Sequence, residues 1–416
     1  MMKRQNKKMV ISPHLNSMNT CWFNDIQFLI LSSVDWDYLQ QRIHVFARGL
    51  ASYGAQVFFV ENTGIGRRPK ASVKDLTLVR NRIKKLFPLK KIGNLKSTPN
   101  NLKVITPLVL PPATRIETLL NHYFFIPQLI KKLKKEGLSK KIILITCLPT
   151  TVSIEIIKKI TPRLVIYDCA SNLEGDPNVP DNFREIENRL LKLADVVLTD
   201  SIFLYNKFKA IHSNVFRIHH GVNTILFGSI SHIKGDRKLT CYFGTIGPWI
   251  DWNIIKALVS SGYKVRIIGK NLLPSNINLP DGVSIEGPYD QITLVQRIKD
   301  CGSIILPYIT NSPHMKGVIP AKIYECLQTG KPILSSLLEN YDTEIKACIY
   351  ICTSPQEFCD TLNNLDKLEN DRIKEMRKEC AKKQSHEDNL KKLIEIIEGA
   401  LINKEKGNDK NENFAY

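Results

Sequence analysis

The sequence predicts an α/β protein with two doubly wound domains that face each other across a cleft. The chain has 416 residues, which is more than one ordinary domain holds and suits two domains of roughly 200 residues each. From residue 26 onward, short apolar runs alternate with longer amphipathic stretches, as in parallel sheets covered by helices. A short polar segment with two glycines, residues 228–237, divides this alternation and predicts the linker.

The first series of apolar runs predicts the sheet of a domain over residues 25–227. Each run is four to six residues long and is followed by a turn signal or an amphipathic stretch. The predicted strands are Ile26–Leu31, Gln56–Val60, Leu102–Ile105, Ile142–Thr146, Leu164–Tyr167, Val196–Thr199 and Val215–Ile218. Residues 1–24 are polar and basic, and we expect them to be flexible.

A second series of strands predicts another domain over residues 238–385. The predicted strands are Thr240–Phe243, Lys264–Ile268, Val283–Glu286, Ser303–Leu306 and Pro332–Ser335, with helices at Trp252–Ser260, Ile292–Asp300 and Pro320–Gln328. Apolar residues then recur at helical spacing, so residues 386–403 are predicted to form a helix that packs back across the linker. Residues 404–416 are charged and polar, and disorder is expected there.

Positive charge is concentrated in one region of the chain. The net charge is +19, and residues 67–141 alone contain nineteen Lys or Arg against three acidic residues. Such a field favours an anionic membrane surface, and Leu86, Phe87, Leu89 and Tyr123–Phe125 could add interfacial insertion. Nucleic acid is the competing partner, but no zinc finger, RNP-type motif or helix-turn-helix pattern is present, so none is expected. A merely solvated basic face is the remaining alternative.

Composition also bears on where the protein works. No apolar run reaches the length of a membrane span, and the basic start lacks the apolar region of a secretory signal. The ten cysteines are scattered without a Cys-x-x-Cys pair, which is typical of reduced core residues. We therefore expect a cytoplasmic protein that sits peripherally at the inner face of the cell membrane.

The segment 313–336 predicts an anion site. Pro320 suits the first helical position and Gly330 a helix end, so a short helix with a defined start is expected. Its free N–H groups, with Lys316 and Lys322, would attract a diphosphate. Glu325, one turn beyond Lys322, could accept hydrogen bonds from ribose hydroxyls. The alternative is a surface helix with an ordinary Lys–Glu pair.

Polar residues after the predicted first strand are candidates for lining the cleft. Loops at the carboxyl end of a parallel sheet carry binding residues, which points to Trp36, Gln41, Arg42 and His44. Alternatively, Trp36 is a packing residue and an aspartate of the segment 35–37 caps the following helix. The Asp-x-Asp pattern of that segment resembles a metal-binding pair, but a cap is favoured and no metal site is predicted.

Three further strand ends carry candidate residues. Asp168 could act as a base, hold a sugar hydroxyl or fix a loop. Gly244 and Thr245 follow the first strand of the second domain, where a glycine lets a backbone approach a diphosphate. Lys270 could contact a phosphate or base, or be a surface lysine. The pair at 219–220 is interpreted as a hinge, since neighbours on a strand point to opposite faces.

The ordered succession of these motifs resembles glycosyltransferases of the GT-B fold, especially the bacterial teichuronic-acid and surface-polysaccharide group. The resemblance covers roughly residues 25–400. It rests on Trp36–His44, Tyr167-Asp168-Cys169, Ala194-Asp195-Val196-Val197 to Ser201, His220-Gly221-Val222-Asn223, Tyr242-Phe243-Gly244 and Pro320-x-Lys322-x-x-Glu325 to Gly330-Lys331-Pro332. It implies two Rossmann-like domains and a hexosyltransferase-type enzyme.

The resemblance also implies roles for the candidate residues. The second domain would bind a nucleoside-diphosphate sugar through Gly244, Thr245, Lys270, Lys316, Lys322 and Glu325. The first domain would bind a lipid-linked or glycan acceptor through Trp36, Gln41 and Arg42, with Asp168 and His44 as catalytic or acceptor contacts. No metal or other cofactor would be required, because electrostatics would stabilise the leaving diphosphate.

The sequence departs from the family pattern at two places. Glu325 matches the second of two glutamates eight positions apart, but the first position holds Gly317. The usual Arg and Lys pair after the first strand of the second domain is replaced by Pro248, Trp249 and Ile250. Gly317 leaves a catalytically degenerate scaffold as one alternative, and a nucleotide-sugar epimerase of the same architecture is another. The sugar, the base, the acceptor and the stereochemical outcome are not predicted.

Overall fold

The computed structural model describes residues 25–66, 98–139, 141–176, 179–273, 279–311 and 315–412. The predicted flexible segment 1–24 lies outside these residues. So do residues 67–97 of the basic region and the last four residues of the predicted tail. Within the described part, no helix combines the length and the apolar content that crossing a membrane requires.

The first sheet has seven parallel strands in the order β3-β2-β1-β4-β5-β6-β7. All seven strands were predicted from the sequence, because their apolar runs stand out, and those of the central strands are buried on both faces of the sheet. The strands are β1 Gln27–Leu31, β2 Gln56–Val60, β3 Leu102–Ile105, β4 Ile142–Thr146, β5 Leu164–Cys169, β6 Val196–Thr199 and β7 Val215–Arg217.

Helices cover both faces of this sheet and form two cores with it. They are α1 Arg42–Ser52, α3 Ile126–Lys135, α4 Thr151–Ile160, α5 Phe183–Leu191 and α6 Ile202–Lys209, whereas α2 Arg115–Leu120 buries no side chain and α7 Thr224–Gly228 packs in the second domain's core through Phe227. A wider π-helical turn, Asn121–Phe125, joins α2 to α3. Every connection starts at the carboxyl end of a strand, so the loops that follow the strands share one edge of the sheet.

The second sheet has six parallel strands in the order β10-β9-β8-β11-β12-β13. Five of these were predicted, and β13 was missed. The strands are β8 Asp236–Phe243, β9 Lys264–Ile268, β10 Val283–Glu286, β11 Cys301–Leu306, β12 Ile333–Ser336 and β13 Tyr350–Cys352. The helices are α8 Trp252–Ser260, α9 Gln291–Ile298, α10 Ile323–Gln328, α11 Thr343–Lys346, α12 Pro355–Asn363, α13 Leu365–Leu368, α14 Asp371–Lys382 and α15 His386–Glu412.

The two sheets confirm the predicted fold class, an α/β chain with two Rossmann-like domains across a cleft. The chain passes from the first domain to the second ahead of the predicted segment 228–237, because Val222 and Phe227 are already buried in the second domain's core. Helix α7 ends at Gly228 and strand β8 begins at Asp236. Only residues 229–235 lie between these two elements.

The last helix packs on the first domain, as the apolar repeat predicted. Its residues Leu390, Leu393, Ile394 and Ile397 are buried in the same core as α1 and the first sheet. The helix continues to Glu412, so its predicted end at residue 403 is wrong. A long-range ion pair, which local sequence patterns do not reveal, fastens this added part of the helix to the first domain. In it, Lys404 Nζ donates to both Asp195 carboxylate oxygens at 2.8 and 2.9 Å.

The packing of α15 predicts a large cost for removing a buried side chain from it. Leu393 is fully buried against the first domain, so Leu393→Ala should lower the free energy of unfolding by about 2–4 kcal/mol. Denaturant unfolding measures this difference. Glu395→Ala, at an exposed position of the same helix, is the control and should change stability by less than about 0.5 kcal/mol. Equal effects would contradict the docking of α15.

Candidate functional site

A cavity of about 600 Å³ lies between the two domains. It is bounded by the loops at the carboxyl ends of strands in both sheets, the usual position for ligand sites in open parallel sheets. Gln41, Arg42 and Asn172 contribute to the first domain's wall. Gly244, Thr245, Lys322 and Glu325 contribute to the opposite wall. The structure therefore brings six of the predicted site residues, Gln41, Arg42, Gly244, Thr245, Lys322 and Glu325, to one cavity.

Lys322 lies directly against the carboxyl end of β8. Its Nζ is 3.9 Å from the centre of the Tyr242 ring and 5.8 Å from that of Tyr308. Gly244 has a φ of +128°, and a Cβ at this position would overlap the Lys322 ammonium. The two aromatic faces and the glycine thus hold a cation at the strand end, where it can meet an anionic ligand.

Glu325 lies in the same wall, one turn beyond Lys322. Its Oε1 accepts a hydrogen bond from Gln291 Nε2 at 3.0 Å. Burial raises the pKa of Glu325 to about 8, although nearby Lys322 and the Gln291 hydrogen bond favour the charged form. At neutral pH this carboxyl is largely protonated, so it can both donate and accept hydrogen bonds to a ligand hydroxyl.

The helix that carries Glu325 differs from its prediction. It begins at Ile323, not at Pro320, and it contains only six residues. Lys322 takes the position before the first helical residue. Gly330 has the expected left-handed conformation, with a φ of +68°. A helix this short adds little dipole, so the site depends more on the Lys322 ammonium than on the helix terminus.

Lys316 does not line the described cavity, contrary to the expected phosphate contact. Its side chain is exposed, and its Nζ lies 5.9 Å from the centre of the Phe203 ring of the first domain. Its backbone carbonyl accepts a hydrogen bond from Asn172 Nδ2 at 3.0 Å. Gly317 has a φ of +87°, and a Cβ there would overlap the Phe203 ring. The glycine at the family's glutamate position is therefore required by the backbone and by a close contact.

Lys270 lies at the edge of the cavity. It is exposed, and its Nζ is 5.3 Å from the centre of the Tyr38 ring, which lines the opposite wall. The contact joins the two domains. Lys270 is thus a surface lysine that faces across the cleft. The structure does not choose between the two predicted roles, a phosphate or base contact and an ordinary surface lysine.

Arg42 is a buried cation in the first domain's wall. It is 2% exposed, forms an ion pair with Asp168 and donates a hydrogen bond to the Ile218 carbonyl oxygen. Burial lowers the pKa of Arg42, but Asp168 and Asp200 outweigh it and the pKa is raised. Asp168 is itself 3% exposed and is committed to this pair. It fixes the wall of the cavity and does not line it.

Trp36 and His44 pack in the core beside the cavity, not on its wall. His44 is 1% exposed; its Nδ1 accepts from the Gln41 backbone N–H at 3.0 Å and its Nε2 donates to the Asp35 carbonyl at 3.1 Å. The Trp36 ring contacts both His44 and Phe59. With both nitrogens engaged, His44 holds the start of α1. Neither ring lines the cavity, so the structure lends no support to the predicted acceptor contact of Trp36 or to the predicted catalytic or acceptor role of His44.

The aspartates at 35 and 37 do not cap α1, because Gln41 takes the N-cap position. Their carboxylates lie within 4.8 Å of one another and of Glu61, which is close enough to share a cation. Glu61 already accepts from the Trp36 backbone N–H at 3.1 Å and from Thr106 Oγ1 at 2.6 Å. These hydrogen bonds tie the loop before α1 to the sheet, which accounts for a buried carboxylate here.

Two histidines on the cavity wall were not predicted as site residues. His220 Nε2 lies 3.2 Å from Asp200 Oδ2, and His220 lines the cavity. His219, which like His220 follows the end of β7, points the other way, with its Nε2 3.6 Å from Asp342 Oδ2. His386, at the start of α15, also lines the cavity, and burial lowers its pKa to about 4. No local sequence signal marked His220, because its partner Asp200 follows a different strand, β6.

The raised pKa of Glu325 predicts a pH dependence of stability. In the unfolded chain the Glu325 carboxyl has its ordinary pKa of 4.5, and in the folded protein its pKa is about 8. The folded state therefore binds more protons between these values. The free energy of unfolding should fall as pH rises through this window, by at most about 1.4 kcal/mol per pH unit, and level off above it.

Urea unfolding of the wild type and of Glu325→Gln at pH 5, 7 and 9 measures this effect. The variant should lack the fall, because its amide does not titrate. Glu395→Gln, at an exposed position, should retain it. The same pH dependence in the wild type and in Glu325→Gln would show that Glu325 titrates at its ordinary pKa.

Comparisons with known proteins agree with this geometry. No protein-family model matches the chain. A Bacillus subtilis protein, provisionally assigned as the teichuronic acid biosynthesis glycosyltransferase TuaH, is 26% identical over 253 residues. The match covers 53% of this chain and 63% of the relative, so the chain spans under two thirds of the curated relative it matches.

Solved structures share the fold over most of the chain. A glycosyltransferase from Rickettsia africae has a TM-score of 0.60 at 14% identity, covering 90% of this chain and 99% of that one. HepE of Anabaena, solved in complex with UDP-glucose, has a TM-score of 0.59 at 11% identity, with the same coverage. The chain thus has the GT-B fold, and the resemblance to GT-B glycosyltransferases that its motifs predicted is confirmed.

Proposed function

We propose that this chain is a glycosyltransferase that transfers a sugar from a nucleoside-diphosphate sugar to a lipid-linked or polysaccharide acceptor in cell-surface glycan synthesis. The observation that carries the proposal is the Lys322 ammonium held beside Gly244 in a cavity between two domains, with Glu325 one turn away. The Bacillus relative's assignment to teichuronic acid synthesis and the UDP-glucose bound by HepE support it.

The donor would lie along the second domain's wall. Lys322 would neutralise the diphosphate, and Gly244 would let the phosphates approach the end of β8. Glu325, protonated near neutral pH, would exchange hydrogen bonds with the ribose hydroxyls. Because Lys316 faces the first domain, the positive charge that contacts the diphosphate comes mainly from Lys322. This cation stabilises the leaving group without a further requirement for a metal.

The acceptor would approach from the first domain's wall. Its hydroxyl oxygen would bond to the anomeric carbon while the bond from that carbon to the diphosphate oxygen breaks. The hydroxyl proton must leave, and our candidate to accept it is His220, which lines the cavity and is hydrogen-bonded to Asp200 through its Nε2. Gln41 would help to orient the acceptor, and the buried Arg42–Asp168 pair would hold this wall rigid.

The basic region 67–141 would place the enzyme peripherally at an anionic membrane surface. Its predicted net charge of +16 comes partly from residues outside the described chain. The described part includes exposed lysines at the end of α3. Attraction of this surface to acidic lipids would bring the enzyme to a membrane-bound acceptor at the inner face.

Replacing Gly244 tests the donor site. Gly244→Ala should displace the Lys322 ammonium and weaken nucleotide-sugar binding at least tenfold, measured by calorimetry against a panel of nucleotide sugars. Gly262→Ala is the matched control, since Gly262 also has a positive φ of +80° but no atom lies within 4 Å of its added Cβ. Both variants should lose about 1 kcal/mol of stability, but only Gly244→Ala should lose affinity.

Product analysis with and without acceptor then separates the candidate activities. A transferase consumes donor productively only with an acceptor, whereas an epimerase changes the donor sugar alone. A protein that binds no nucleotide sugar in the panel would be a scaffold. Either of these two results would refute the proposed transfer reaction.

A further inference from the structure

Five apolar side chains lie exposed along one face of the helical segment formed by α2 and the following π-helical turn. Ile116 is 70% exposed, Leu119 54%, Leu120 37%, Tyr123 67% and Phe124 58%. Their spacing places them on adjacent turns of one side, and we call this face the apolar stripe. Solvent exposure of five neighbouring large apolar residues is unusual for a surface helix and marks an interaction site.

Hydrogen bonds on the opposite side of the helix keep the apolar stripe turned to solvent. Asn121, on the opposite side of the same helix, is buried: its Oδ1 accepts from the Leu110 backbone N–H at 2.9 Å and its Nδ2 donates to the Leu110 carbonyl at 2.7 Å. His122 Nδ1 lies 2.9 Å from Glu155 Oε2. A polar residue therefore faces the protein while apolar residues face out, the reverse of an ordinary surface helix. Phe125 was predicted to take part in the membrane insertion, but it packs against a core of the first domain.

Charge next to the stripe indicates what covers it. Helix α3 continues the same segment and ends with four exposed lysines, Lys131, Lys132, Lys134 and Lys135. The acidic residue of α2, Glu117, is turned back to the helix start, where its Oε2 accepts from the Thr114 backbone N–H at 2.5 Å. An apolar face followed by a cluster of lysines fits a layer that is apolar inside and anionic at its surface.

The stripe starts on the same side of the first domain as the cleft. The loop that leads from β3 to α2 lies against the loop after β2: Thr106 donates to Glu61, and Gly66 contacts Pro112 so closely that no Cβ would fit. Both loops follow the carboxyl ends of strands, the edge at which Gln41 and Asn172 line the cavity. A surface that binds the stripe would therefore lie beside the acceptor wall.

We propose that the apolar stripe inserts into the headgroup region of an anionic lipid bilayer, with the α3 lysines on the lipid phosphates. The inference rests on the proposed membrane role of the basic region and assigns the contact to particular residues. It also favours a lipid-linked acceptor, because insertion here presents the acceptor wall to the membrane. A second copy of the chain, or residues 67–97, are the competing occupants of the stripe.

Vesicle binding of a matched pair of variants tests the insertion. Ile116→Asp replaces a stripe residue, and Ile211→Asp replaces an isoleucine that is 61% exposed elsewhere in the same domain. Full-length protein is sedimented with vesicles of phosphatidylglycerol and phosphatidylcholine at 0.1 and 0.5 M NaCl. Ile116→Asp should bind anionic vesicles at least tenfold more weakly than the wild type, while Ile211→Asp should be unchanged. High salt and neutral vesicles should weaken wild-type binding.

A fluorescent probe in the stripe distinguishes the occupants. The Phe124→Trp emission, after subtraction of the four native tryptophans, should shift to the blue on addition of anionic vesicles and be quenched by brominated lipid. An emission already blue-shifted without lipid, and unaffected by it, would show that the chain covers its own stripe and would overturn the proposal. Self-association that Ile116→Asp abolishes, without lipid binding, would overturn it in favour of a second copy.

Nucleotide-sugar binding by the same variants separates this inference from the proposed function. Ile116→Asp should keep the wild-type affinity in calorimetry, because the stripe lies outside the cavity. Loss of lipid binding with intact donor binding supports the inference. Equal lipid binding by the two aspartate variants refutes it and leaves the transferase proposal standing. Absence of any donor binding would instead refute the transferase.

Discussion

The return of α15 to the first domain is the contact on which the cleft depends. The helix follows the second domain in sequence, yet Leu393 and Ile394 are buried in the first domain's core. At its start, the His386 backbone N–H donates to the Val222 carbonyl at 3.0 Å, and Asn389 donates to the His219 carbonyl. Because the proposed donor and acceptor residues lie on different domains, neither wall alone makes a site. The helix that joins them also contributes His386 to the cavity.

The net charge of the second domain's wall depends on the surroundings of Lys322 and Glu325, not only on the number of charged residues there. Lys322 and Glu325 are three residues apart and in water would form a weak ion pair. Here Lys322 lies over two aromatic rings, and burial keeps Glu325 largely protonated near neutral pH. The wall thus presents a net positive charge together with a neutral hydrogen-bonding group. That combination suits a ligand with a diphosphate beside hydroxyls, whereas two opposite charges would cancel before the ligand arrived.

Local patterns predicted most strands, because buried parallel strands are short continuous apolar runs; β13 was missed, and only one of its three residues is buried. They predicted which strand ends face the cleft but not which way each side chain turns. Trp36 and His44 follow β1 as expected, yet packing on Phe59 turns both into the core. His220 was missed for the converse reason, since its partner Asp200 comes from another strand and only the folded sheet brings them together.

Gly317 illustrates how a departure from a family pattern can be structural. A glutamate there would need a backbone that an L side chain rarely adopts and a space that the Phe203 ring fills. The same loop gives its Lys316 carbonyl to Asn172, so it contacts the first domain at two points. Lys316 and Gly317, in the second domain, are thereby in contact with the wall of the first domain, where we propose that the acceptor binds. The absence of a carboxylate at position 317 is thus accompanied by a direct bridge between the domains, and in the proposed function the charge that meets the donor diphosphate falls mainly on Lys322.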